Sequence, residues 1–255
     1  MKILVLGAGG VGGYFGGRLA QAGSDVTFLV RERRAAQLRR SGLVVQTPDG
    51  EFSVPAKAVL REGIDAPFDL VLLTCKAYDL DSAVATVRPA VGPGTVVVPL
   101  LNGLAHLDRL DAEFGADRVI GGSCGIAATL SAEGVVIQMS PFHWIRFGDR
   151  AGKPRPQVDA LAKAYATTPV DAAAVPDILQ AMWEKFVLLT TLAACTGFMR
   201  GSVGDILATS DGEAIMRELL DTCIGAAQAA GHAPSAKSLT QTESLLFARG
   251  STFSA

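Results

Sequence analysis

Over the first two thirds of the chain, apolar residues come in short runs closed by glycine or proline; over the last third they recur at helical spacing. Lys2 to Leu6 is an apolar run ending at Gly7, the pattern of a parallel strand buried on both faces. A helix is predicted from about Gly12 to Ala22, with Gly23 as its stop. Asp25 to Val30 reads as a second strand and Arg33 to Arg40 as a basic surface helix. Val44 to Gln46 and Phe52 to Val54 flank Asp49-Gly50, a hairpin signal. Further strands are predicted at Phe68 to Thr74, Thr95 to Pro99 and about Arg118 to Ser123, with a helix near Asp79 to Pro89. Val135 to Met139 and Trp144 to Phe147 read as paired antiparallel strands at the sheet edge.

Strands alternating with helices behind a Gly-rich turn predict an α/β fold: an N-terminal Rossmann-type doubly wound sheet. After Pro176 the pattern turns helical, with Asp177 as N-cap and apolar positions from Ile178 through Met199. The expected division is therefore residues 1–173 as the sheet domain and 174–255 as an all-helical domain. Phe186 to Met199 is short of the roughly 20 apolar residues that span a bilayer and reads as a buried helix.

Composition narrows the function. Lys plus Arg number 23 against 25 Asp plus Glu, with no dense basic patch, so nucleic acid is not an expected partner, and neither is a membrane. Ile3 to Leu6 is too short for a signal-peptide core. The four cysteines, Cys75, Cys124, Cys195 and Cys223, lack CxxC spacing, so neither zinc nor a disulfide framework is indicated and a reducing cytoplasm is expected. His106, His143 and His232 lack metal-ligand spacing and are expected in surface or capping roles.

Gly7-Ala8-Gly9-Gly10-Val11-Gly12 satisfies G-x-G-x-x-G between a strand and a helix, the setting in which the motif binds a dinucleotide. The first glycine permits the tight turn, the second lets the backbone approach a pyrophosphate, and the third lets helix and strand pack closely. An acid at the end of the second strand would select NAD, but the chain reads Leu29-Val30-Arg31, with Arg33 and Arg34 beyond. Arg31 can pair a 2'-phosphate bidentately, which favours NADP; a solvated helix start, with Glu32 offering a carboxylate, is the alternative.

Three polar residues remain open on their own chemistry. Lys185, in the apolar stretch Trp183 to Leu189, suits protonation of a carbonyl oxygen, because partial desolvation would lower its pKa toward neutrality. It also suits a snorkelling lysine paired with Glu184. Asn102 and Lys76 each follow a buried strand, at the carboxyl edge where ligands collect. A turn asparagine and a solvent lysine are the plain alternatives.

The Gly7 to Gly12 turn, Thr74-Cys75-Lys76-Ala77-Tyr78, Leu101-Asn102-Gly103 and Trp183-Glu184-Lys185 together resemble the ketopantoate reductase family over nearly the whole chain. That resemblance implies NADPH-dependent reduction of a small 2-oxo acid, 2-dehydropantoate (ketopantoate) to pantoate, at a cleft between two domains. It implies that Lys76 and Asn102 line the cofactor and substrate site, that Lys185 donates the proton, and that Ala128 touches the nicotinamide side. A homodimer is expected by analogy alone. The chain departs from the family where asparagines are expected after the lysine, at Leu189, Ala193 and Val203. Lost amides favour a less hydroxylated 2-oxo acid. The family pattern also continues past Ala255, so the helical domain is expected to be incomplete at its C-terminus. Reduction of another 2-oxo acid by a related NADP-dependent enzyme, and NADPH sensing without turnover, are the alternatives.

Overall fold

A computed structural model describes residues 1–254, which divide into two compact units, Met1–Ile178 and Leu179 onward. In the first unit, β1 (Lys2–Leu6), β2 (Asp25–Leu29), β5 (Lys57–Val59), β6 (Leu70–Leu73) and β7 (Val96–Pro99) form an all-parallel sheet in the order β5-β2-β1-β6-β7. Both β6 and β7 are buried at every position, as expected for Leu-Val-Leu-Leu and Val-Val-Val-Pro covered on both faces. Helices α1 (Gly10–Gln21), α2 (Glu32–Ser41), α3 (Leu80–Val87) and α4 (His106–Phe114) lie between the strands in sequence. This is the doubly wound, Rossmann-type arrangement.

The predicted hairpin is present as β3 (Leu43–Thr47) against β4 (Gly50–Val54). It belongs to a second sheet, β4-β3-β10-β9, with β9 (Ala128–Leu130) and β10 (Val136–Gln138); Gly13 of α1 lies close beneath Val136. A third sheet, β12-β11-β8, holds β8 (Gly121–Gly125), β11 (Trp144–Gly148) and β12 (Asp171–Ala174), preceded by α5 (Pro156–Tyr165). The expected pairing of the Val135 and Trp144 strands does not occur: β10 pairs with β3 and β9, and β11 with β8 and β12. Ser140 diverts the chain between them, its Oγ accepting the Ala127 N–H at 2.9 Å and donating to the Phe142 carbonyl at 2.7 Å. The strand expected from Arg118 is a single bridge, Val97 to Val119, before β8 departs for the third sheet.

The second unit is helical: α6 (Ile178–Met199), α7 (Val203–Leu207), α8 (Gly212–Ala229) and α9 (Ala236–Leu246). Its core gathers Val187, Leu192 and Cys195 of α6 with Met216, Leu220, Ala227 and Leu246. The expectation of a short, buried apolar helix needs correcting. At 22 residues and mean hydropathy 1.3, α6 is long and apolar enough to cross a membrane, yet only one side meets the core and Phe198 is 87% exposed. An amphipathic stripe needs only part of the circumference, and the small residues Ala193, Ala194 and Gly197 lie on the exposed part. His106 also departs from its expected surface role: it is 5% exposed, at the start of α4. His143 is half-buried, bonded through Nδ1 to the Tyr14 hydroxyl at 2.9 Å.

Candidate active site

The chain leaves β1 through Gly7, whose φ of +93° suits glycine, and the Gly7 N–H donates to the Leu29 carbonyl at 2.9 Å. A side chain at Gly12 would strike the Gly7 carbonyl oxygen and Thr74 Oγ1; Thr74 Oγ1 itself donates to the Leu6 carbonyl at 2.7 Å. Gly10 lies against the backbone carbonyl of Ala128, so β9 packs directly on the first turn of α1. Gly9 is different. A Cβ built there would meet nothing within 4 Å, and as N-cap of α1 it offers no side-chain cap to the first-turn N–H groups. Two glycines are therefore required by the protein's own packing, and one faces open space at a helix N-terminus. That donor set fits a pyrophosphate.

Strand register brings the other candidates to the same edge. Leu6 lies opposite Leu29 and Leu73, and Leu73 opposite Pro99, so the segments following β1, β2, β6 and β7 all emerge on one side of the parallel sheet. Arg31 emerges after β2, its side chain 86% exposed and 4.0 Å from the Asp79 carboxylate. A contact that long and that exposed leaves the guanidinium able to exchange partners. Lys76, exposed, precedes the 3-10 turn Ala77–Asp79. Cys75 beside it is half-buried, and burial pushes its thiol up to about 11, which keeps it protonated. Asn102, exposed, precedes Gly103, whose φ is +82°. The Gly7 to Gly12 turn, Ala128, Arg31, Lys76 and Asn102 thus share one edge of the first unit.

Lys185 belongs to the second unit, half-buried on α6. Trp183 packs edge-on to Phe186, ring centroids 5.3 Å apart, and stacks on His232 at 6.0 Å. Glu184 Oε1 accepts the Ser235 N–H at 2.9 Å and Gln180 Nε2 at 3.2 Å, which ties α6 to the start of α9. Leu189 and Ala193 follow Lys185 by one and two turns on the same helical face. Val203 does not continue that face: α6 ends at Met199, Arg200 turns the chain at φ 53°, and Val203 is fully buried at the start of α7. It presents no surface to a substrate.

Two residues gain roles that sequence reasoning did not assign. Thr74 locks the Gly-rich turn through Leu6, a role signalled only by a hydroxyl at the end of a strand that neighbours β1. Arg34, one helical turn beyond Arg31, is turned inward instead of toward solvent, bonding the Ala8 and Gly134 carbonyls.

The ketopantoate reductase PanE/ApbA family model matches residues 3–152, and the ketopantoate reductase PanE/ApbA C-terminal model matches residues 177–250. An uncharacterized oxidoreductase, YkpB, of Bacillus subtilis (strain 168) is 36% identical over 88% of this chain and 73% of its own length. A 2-dehydropantoate 2-reductase of Caulobacter vibrioides is 31% identical over 90% of this chain and 75% of its own. The crystal structure of 2-dehydropantoate 2-reductase from Geobacter metallireducens GS-15 superposes with a TM-score of 0.88 at 27% identity, covering 100% of this chain and 85% of that one. With the Gly-rich turn opening on a helix N-terminus and both family models matched in order, the chain belongs to the ketopantoate reductase family and is an NADP-dependent oxidoreductase.

Proposed function

We propose that the protein reduces a 2-oxo acid to the corresponding 2-hydroxy acid, with 2-dehydropantoate to pantoate, a step of pantothenate biosynthesis, as the first reading. The observation that carries it is the open space over Gly9, on an edge shared with Arg31, Lys76 and Asn102, in a chain that matches both halves of the family. In this reading residues 1–173 hold the cofactor and residues from 174 on supply substrate and proton contacts. The N–H groups of the Gly7 to Gly12 turn receive the pyrophosphate, Arg31 the 2'-phosphate, and Lys76 a further phosphate charge. Ala128 borders the nicotinamide side.

NADPH, when bound, supplies a hydride to the carbonyl carbon. Charge then develops on the carbonyl oxygen, and a positioned donor must stabilise it and deliver a proton. Lys185 is that donor, and the Asn102 amide holds the substrate or the lysine by hydrogen bonds. One 2-oxo acid, one NADPH and one proton give one 2-hydroxy acid and NADP. The compartment this reading carries is the cytoplasm, where the free Cys75, Cys124, Cys195 and Cys223 stay thiols, and the assembly, by analogy, is a homodimer.

One observation favours a second substrate. Leu189 and Ala193 present apolar surface one and two turns beyond Lys185, and a pocket without amides suits a less hydroxylated 2-oxo acid. NADPH consumption with ketopantoate and with its deoxy analogues decides between them. Faster turnover of ketopantoate upholds the first reading, and preference for the analogues replaces it with the second. Saturable NADPH binding with no turnover of any 2-oxo acid turns the protein into a sensor.

A further inference from the structure

Three arginines follow β2, and the structure gives them different work. Arg31 is exposed, whereas the Arg34 guanidinium, half-buried on α2, reaches two backbone carbonyls far apart in sequence: Nε donates to Ala8 at 3.0 Å and Nη1 to Gly134 at 2.7 Å. Gln37 Oε1 accepts from the same Nη1 at 3.4 Å. Nη2 is buried without a hydrogen-bond partner among the described residues, and burial draws the pKa of the group down from its ordinary value. A side chain at Gly134 would press on Nη1 and on Gln37, so this turn is shaped around the guanidinium.

We propose that Arg34 is a positioning residue for the dinucleotide, fastening the Gly-rich turn to the β9–β10 hairpin without touching the cofactor. The peptide between Ala8 and Gly9 is planar and trans, so its C=O and N–H point in opposite directions. Holding the Ala8 carbonyl on Arg34 therefore turns the Gly9 N–H away from the guanidinium, at a residue whose Cα side is itself open. The second bond, to Gly134, anchors the Ser131 to Val135 turn, whose Ser131 N–H donates to Val135 at 2.8 Å. That turn leads back into β9, where Ala128 closes on Gly10. One side chain thus sets both the pyrophosphate turn and the strand beside it. The inference rests on the cofactor reading of that turn.

Because Arg34 acts through backbone common to both dinucleotides, its loss weakens NADPH and NADH alike; loss of a 2'-phosphate ligand weakens NADPH alone. The experiment titrates NADPH and NADH into wild type, Arg34→Ala, Arg34→Lys and Arg31→Ala, and follows amide hydrogen exchange of residues 8–13 and 131–135 in the ligand-free proteins. Arg34→Ala raises both dissociation constants by the same factor, about ten-fold for the loss of one charge-assisted hydrogen bond. Exchange rises in both segments, and Arg34→Lys, which reaches one carbonyl at a time, lies between. Arg31→Ala loses NADPH affinity while NADH binding stays level.

An Arg34→Ala protein that loses only NADPH affinity overturns the proposal in favour of a 2'-phosphate ligand, and one with unchanged affinities and unchanged exchange shows an idle brace. Should Arg34→Ala fail to fold, Arg34→Lys carries the same comparison. If wild type binds neither dinucleotide, the cofactor reading fails and the positioning role fails with it. Exchange in the ligand-free proteins then reports separately whether Arg34 fastens the two backbone segments.

Discussion

The Gly7 to Gly12 turn and the Lys185 face of α6 make opposite demands on the chain. At the turn the proposed binding is done by backbone, and side chains matter by their absence: Gly12 has no room for one, and Gly9 has room that nothing among the described residues fills. On α6 the backbone is an ordinary helix and the proposed chemistry rests on one long side chain, with Leu189 and Ala193 one and two turns beyond it. Binding and turnover should therefore come apart under mutation, since each belongs to a different compact unit.

The largest effect separates them. Lys185→Ala is expected to lower kcat by about 100- to 10,000-fold, the range for loss of a positioned general acid. The NADPH dissociation constant and the urea midpoint should hold near wild type. Fluorescence titration beside single-turnover kinetics measures both, and near-normal turnover would remove the lysine from the mechanism and leave α6 a purely structural helix.

A second pair acts within the turn itself. Gly12→Ala drives a methyl group into the Gly7 carbonyl and Thr74 Oγ1, and overpacking of that kind costs about 1–3 kcal/mol, visible in the urea midpoint together with lost NADPH binding. Gly9→Ala meets no atom of the described residues within 4 Å, so stability should stay level while NADPH affinity falls about ten-fold, as expected if a phosphate approaches the backbone there. Unchanged affinity in Gly9→Ala would mean that the open space is not a phosphate seat.

The same contrast explains what the sequence made legible. The Gly-rich turn, β1, β6, β7 and the span of α6 rest on local patterns, which can be read without knowing what they pack against. Which distant partner a strand pairs with was not readable in this way, even where the strand itself was, as at β10. Ala-rich β12 becomes a strand because it pairs with β11, and β10 joins β3 from some ninety residues earlier. Arg34 resembles any surface arginine until Gly134 is placed beside it. Carrying a family position onto Val203 fails for a related reason, because helical spacing from Lys185 cannot be counted through the turn at Arg200.

The smallest expected effect distinguishes the two units by pH. Burial, with the nearby Arg150 charge adding to it, lowers the His106 pKa from 6.5 to about 4, and Nε2 has no hydrogen-bond partner among the described residues. The unfolded chain therefore binds more protons than the folded one between about pH 4 and 6.5, so this contribution is full above that window and is lost as the pH falls through it. Linkage puts the loss between pH 7 and 5 at about 1–2 kcal/mol. Asp149 acts lower down: burial alone would raise its carboxyl, but hydrogen bonds from Arg155 and the Lys153 and Ala151 N–H groups outweigh it and hold it below the usual range. Its stabilising share is present above the ordinary carboxylate range and fails only as the pH drops through its lowered value. Hydrogen exchange at pH 7 and 5, corrected for intrinsic rates, should show protection lost in β7 and α4 but not in α8, whose own buried residues include Met216, Leu220 and Ala227 and no histidine. His106→Gln should flatten that difference. Equal loss in both units would mean that His106 does not set the first unit's acid sensitivity.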